Sequence, residues 1–152
     1  VLAVTADAAR PGDMERFIIE KAADLGIAKN VLFGGFLRDR DTAKAYKLAD
    51  LYVMPSISEP FGLTPLEAIK NGTPVIISKQ SGVSEIIENC IKVDFWDIDL
   101  MAKKILEVLY DSHLRKHLVE KSGEEVARIN WDGPAKKCKS IYQSLIQGEA
   151  SW

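Results

Sequence analysis

Three observations predict a doubly wound α/β fold with a mostly parallel sheet. Short β-branched apolar runs alternate with segments of helical periodicity; those runs are nearly continuous in apolar residues rather than alternating; and turn residues such as the glycines of "FGGF" and Pro55 interrupt the chain between elements. Continuous apolar strands need cover on both faces, which crossover helices provide.

The order of elements follows from the same signals. "VLAVT" (1–5) suits a buried strand, with "ADAARPGD" as its turn. Asp13 is placed to cap a helix whose buried face is Met14, Phe17, Ile18, Ala22 and Leu25, closed by Gly26. "NVLFGGF" (30–36) is a second strand, and Asp41 begins a helix through Ala49 with Ala43, Tyr46 and Leu48 inward. "LYVMP" (51–55) is a third strand, stopped by Pro55. A loop and helix follow, ending at Asn71-Gly72. "PVIIS" (74–78) is a fourth strand, "GVSEIIEN" a short helix, and "IKVD" (91–94) a fifth strand. From there only helices are expected, over about 99–110, 112–128 and 132–147, with Leu100, Ile105, Leu106 and Leu109 lining the first.

Composition narrows the function classes. The chain has 152 residues, 20 basic and 22 acidic, mixed along its length, so a nucleic-acid polymer is not an expected partner. No apolar run is long enough for a transmembrane segment, and no signal peptide is marked. Cys90 and Cys138 fit no metal or redox spacing, which points to reduced thiols in a cytoplasmic protein. His113 and His117 stand one helical turn apart without a third ligand, so surface positions are expected and no metal. Arg38 and Arg40 in "RDRD" read as a solvated loop, with a phosphate contact as the alternative, and Trp96 and Trp131 read as packing residues. Val1 opens directly inside a strand-like run without methionine, which suggests a piece of a longer protein.

The chemistry concentrates in "SEPFGLTPLEAIKNG" (58–72). A doubly wound sheet binds ligands beyond the carboxyl ends of its strands, where the loop after the third strand emerges. Gly62 stands at the mouth of the next helix, where unpaired backbone N–H groups carry positive partial charge and a missing side chain lets an anion approach. Thr64 can add a hydroxyl donor, and Pro65 removes only an orphan N–H. Glu67 lies one turn further in, on the face of Leu63 and Thr64. Vicinal sugar diols donate two hydrogen bonds to a carboxylate, so Glu59 and Glu67 around a phosphate site suit a nucleotide sugar. The plainer reading makes Glu67 a partner of the helix dipole and Glu59 a solvated loop residue.

"PSISEPFGLTPLEAIKNGTPVIIS" with "GVSEII" resembles the signature of the retaining GT-B glycosyltransferases of group 1: two glutamates with seven residues between them, then Gly-x-Pro-Val. Glu59, Glu67, Gly72, Pro74 and Val75 fit it, and the similarity runs over nearly the whole chain. "EPFGLT" is similar to the glucosyl-transferring members, the glycogen or starch synthases and the sucrose or sucrose-phosphate synthases. The resemblance implies one donor-binding, C-terminal domain over 1–152, a fragment of a two-domain protein. Its donor would be a nucleoside diphosphate sugar, such as UDP- or ADP-glucose. A sugar or polysaccharide acceptor would bind through the missing N-terminal domain. Glu67 would hold the ribose and Glu59 a donor-sugar hydroxyl. Backbone N–H groups at Gly62, Leu63 and Thr64 would meet the diphosphate, and Gly35 and Phe36 would border the nucleobase.

This sequence also departs from that pattern. The family's first strand of this domain, with its phosphate-neutralising Arg and Lys, would precede Val1 and lie between "VLAVT" and "LYVMP" in the sheet. "TADAARPG" lacks the family's glycine pair, and Ser81-Gly82 stands where Gly-Gly is usual. A module that binds nucleotide sugars without transfer is the alternative function, and a nucleotide-sugar epimerase is disfavoured by the spacing of the acids.

Overall fold

A computed structural model describes residues 2–5 and 13–147, with residues 2, 4, 5, 13 and 14 as backbone only. The turn after the first strand and the buried role of Met14 therefore lie outside the described residues. The elements are β1 (Leu2–Thr5), α1 (Asp13–Asp24), β2 (Val31–Gly35), α2 (Asp39–Leu48), β3 (Tyr52–Met54), α3 (Leu63–Lys70), β4 (Val75–Ser78), β5 (Ile91–Val93), α4 (Ile98–Tyr110), α5 (Ser112–Val126) and α6 (Asp132–Gln147). All pairings are parallel, in the order β1-β2 and β3-β4-β5. The α/β class and parallel pairing are as the sequence predicts. The strands form two ladders, one of two strands and one of three, rather than one continuous sheet.

Two compact units result, Val1–Ala45 and Tyr46–Trp152. In the first, Ala22 and Val31 are buried, while Phe17, Leu25 and Leu32 are each about 60% exposed, against the expected inward role of Phe17 and Leu25. In the second, β4 is buried at every position, as a central parallel strand must be. Ile76, Ile77, Val83, Ile87 and Val93 are at most 1% exposed. Each such side chain contributes about 1.5–3 kcal/mol on burial.

Three further expectations need correction. Leu48 is exposed, because α2 ends there and its buried residue is Tyr46. On α4 the buried residue is Val108, and Leu106 and Leu109 face outward. The helix expected over 82–89 is a single 3-10 turn, Gly82–Glu85. The amides of Glu88 and Asn89 donate instead to Glu125 of α5, both at 3.1 Å, so a tertiary carboxylate replaces the carbonyls a longer helix would use. No helix among the described residues is long and apolar enough to cross a membrane.

Candidate functional site

The loop from β3 to α3 is built by its neighbours. Gly62 has φ +93°, a conformation that L side chains rarely adopt. Its Cα also faces a closed wall: an added Cβ would lie 3.1 Å from Val83 Cγ1 and 3.3 Å from both Glu59 Cγ and Met54 Cε. The stem of Glu59 therefore packs across the helix mouth. Its backbone is fixed as well, since Glu59 bridges Ser81 in parallel fashion and Gly82 N–H donates to the Glu59 carbonyl at 2.9 Å. A Cβ on Gly82 would stand 2.2 Å from the Pro60 carbonyl oxygen, so that glycine is what permits the two loops to meet.

Along α3 the burial separates by face. Pro65, Leu66, Ala68 and Ile69 are buried, while Leu63, Thr64 and Glu67 are exposed together. The helix start differs from its neighbours in one respect. Asp97 caps α4 by accepting from Leu100 N–H at 3.0 Å, and Asp111 caps α5 by accepting from His113 and Leu114 N–H at 2.9 Å. At α3 the cap is Gly62, no side chain caps it, and no acid stands in the first turn. The positive end of this helix is thus left open beside Glu59.

Below the exposed face lies a tier that the sequence reading missed. Tyr52 Oη donates to Thr64 Oγ1 at 2.9 Å, and the Thr64 hydroxyl is directed in turn at Met54 Sδ, 3.8 Å away. The Thr64 hydroxyl is thus engaged from within, as a link to β3. Tyr46 packs edge-on against Tyr52, with ring centroids 5.5 Å apart. Burial pushes the Tyr52 hydroxyl up; the Thr64 bond opposes this, and the Glu59 and Glu67 charges add to it. The Tyr46 hydroxyl is pushed up to about 12 by burial, then by Tyr52 and Glu67. Both acids therefore act on Tyr52, and Glu67 on Tyr46 as well. The two-residue spacing of Tyr52 and Met54 on one face of β3 was the available signal.

Gly35 and Phe36 belong to the first unit, at the end of β2. Gly35 has φ +59°, and Phe36 is 52% exposed with Arg38 Cζ 5.0 Å from its ring centroid. Arg38 of the "RDRD" run thus rests on an aromatic ring. His113 and His117 are exposed on α5. Trp96 and Trp131 are 62% and 75% exposed, against the expectation that they pack inside. Ser81, by contrast, is 2% exposed and donates to the Ser78 carbonyl at 2.7 Å, so it supports the loop from below.

Comparison with known proteins places this geometry in context. Residues 11–125 match the family described as Glycosyl transferases group 1. An uncharacterized glycosyltransferase of Methanocaldococcus jannaschii is 36% identical over 140 residues, covering 90% of this chain and 36% of that protein. A D-inositol 3-phosphate glycosyltransferase of Corynebacterium urealyticum is 32% identical over 129 residues, covering 83% of this chain and 30% of that protein. The solved structure of a sucrose-phosphate synthase from Thermosynechococcus elongatus superposes with TM-score 0.79 at 30% identity, over 97% of this chain and 38% of that one. The chain spans about a third of the length of these relatives.

Proposed function

The chain belongs to the group 1 glycosyl transferases, and from that premise we propose that it is the donor-binding lobe of a retaining enzyme. In the whole protein it would transfer a sugar, glucose in our reading, from a nucleoside diphosphate sugar to a sugar or polysaccharide acceptor. The observation that carries the proposal is the open start of α3, uncapped where α4 and α5 are capped, with Glu59 and Glu67 beside it. In this reading the amides at Gly62, Leu63 and Thr64 take the diphosphate. Glu67, one turn on, accepts the ribose diol. Glu59, whose stem is wedged against Gly62, accepts from a donor-sugar hydroxyl.

The division of labour follows from where charge develops. As the glycosidic bond breaks, negative charge gathers on the departing diphosphate and positive charge on the sugar ring. An oriented helix start with no capping carboxylate stabilises the first without reorganising. In this reading Glu59, whose backbone is held by the Ser81 bridge, stands beside the sugar ring and favours the second. The similarity of "EPFGLT" to glucosyl-transferring members, and the relative that is a sucrose-phosphate synthase, support glucose as the sugar.

Titration of the chain with UDP and ADP, followed by backbone amide shifts, tests the site. Binding near the millimolar range, about -4 kcal/mol, is expected with shifts at residues 60–67. Glu67→Ala weakens it by about 1–3 kcal/mol, the range for a charge-assisted hydrogen bond. Shifts elsewhere and none at 60–67 would sink the assignment. In the whole enzyme, Glu59→Gln lowers turnover far more than nucleotide affinity, whereas Glu67→Gln weakens donor and nucleoside diphosphate alike.

A further inference from the structure

Beyond the donor site, we propose that Trp96 is a stacking platform for a hexopyranose ring of the acceptor, with Lys79, Gln80 and Asp94 as partners for its hydroxyls; the acceptor role rests on the function proposed above. Trp96 follows β5, at the same carboxyl end of the strands as Glu59, and is 62% exposed. Its ring is braced edge-on by half-buried Phe95, with centroids 4.8 Å apart at 82°, which limits the orientations it can take.

Asp94, just before the aromatic pair in the chain, belongs to a polar cluster already set in place. Lys79 Nζ meets Asp94 Oδ2 at 2.8 Å, and Gln80 Nε2 donates to Asp94 Oδ1 at 2.9 Å. Gln80 Oε1 accepts from Ser78 Oγ at 2.8 Å, and more distantly from Phe95 N–H at 3.4 Å. The aromatic pair and the polar cluster are therefore tied to one another. Lys79 and Gln80 are exposed, and the ammonium retains further donors while each carboxylate oxygen retains a lone pair. A pyranose has the complementary form: one face of C–H bonds, which suits the negative face of an indole, and a rim of hydroxyls.

Position joins this platform to the donor site. Residues 78–82 hold Asp94 on one side through Lys79 and Gln80, and Glu59 on the other through Ser81 and Gly82. The order β3-β4-β5 puts the ends of β3 and β5 about 10 Å apart, two inter-strand spacings, which two linked sugar rings span. A protein-docking face would need a broader apolar area than one indole and Ile98 of the adjoining helix, here bordered at once by ionised groups.

The test titrates the 152-residue chain with maltose, lactose and mannobiose, reading amide and indole N–H shifts, with UDP titrated separately. At least one disaccharide is expected to shift Trp96 together with residues 79, 80 and 94. Trp96→Phe keeps the affinity within about threefold, whereas Trp96→Leu, which retains apolar bulk without a π face, lowers it about tenfold. UDP shifts at 60–67 stay the same in both variants. No response at Trp96 to any of the three sugars, or equal affinity in Trp96→Leu, overturns the platform. Absence of UDP shifts at 60–67 in the unsubstituted chain separately overturns the donor reading, and the acceptor role with it.

Discussion

The turn after β2 and the turn after β3 each need a glycine with positive φ, yet they hold their shape by different means. At the first, a Cβ added to Gly35 would meet nothing within 4 Å, Phe36 is half-exposed beneath Arg38, and Asp39 opens α2 at φ +45°. No side chain walls that glycine in, and its backbone is registered with Thr5 of β1. At the second, Gly62 is walled by Val83, Glu59 and Met54, and the loop is bridged to Ser81. Tertiary packing maintains that one. A positive φ thus marks where a chain must turn, and the surroundings decide how firmly the turn is held.

The largest effect that would break this contrast comes from Gly82, which has no positive φ at all. Gly82→Ala sets a methyl against the Pro60 carbonyl, and backbone cannot swing aside as a side chain can. Destabilisation of about 3 kcal/mol is expected, at the upper end for overpacking, with loss of nucleotide binding as residues 59–61 are pushed away. A urea midpoint unchanged from the parent protein would show that the two loops do not depend on each other.

Gly62→Ala against Gly35→Ala sharpens the comparison directly. Both pay the left-handed backbone penalty of about 1–2 kcal/mol, and only Gly62 adds a steric term. Gly62→Ala is therefore expected to cost about 1 kcal/mol more, by equilibrium unfolding. Equal losses would mean that the wall around Gly62 yields freely.

A smaller effect is expected from alkali. In the unfolded chain tyrosine ionises near 10, whereas Tyr46 in the fold keeps its proton to about 12. The folded state then binds more protons through this interval, so stability present below pH 10 is lost as pH rises toward 12. Tyr52 and the Cys90 thiol, the latter pushed up to about 11 by burial, act with the same sign. Tyr46→Phe is expected to lessen the fall in urea midpoint without abolishing it, and an unchanged slope would remove Tyr46 as a cause. The smallest effect belongs to the open turn: Phe36→Ala should change stability by less than about 1 kcal/mol, the scale of an exposed cation–π contact. A larger loss would show that the Phe36 ring does more for this turn than its contact with Arg38.

Much of this was legible in advance, for a physical reason. Parallel strands buried on both faces must be apolar throughout, so "PVIIS" declared β4 by composition alone. Gly62 was legible because a helix start entered at positive φ requires a glycine there. Leu106, Leu109 and Trp96 were misread, because periodicity and hydrophobicity report what a residue can bury and not whether a neighbour arrives to bury it.

The sequence by itself determined the α/β class, the order of the strands and the family. Only the tertiary structure decided that the Thr64 hydroxyl turns inward to Tyr52, that Gly82 is the contact joining two loops, and that Glu125 ends a helix thirty-odd residues before it. Those outcomes rest on bonds and steric contacts between residues distant in the chain, and no local preference for φ, burial or capping encodes them.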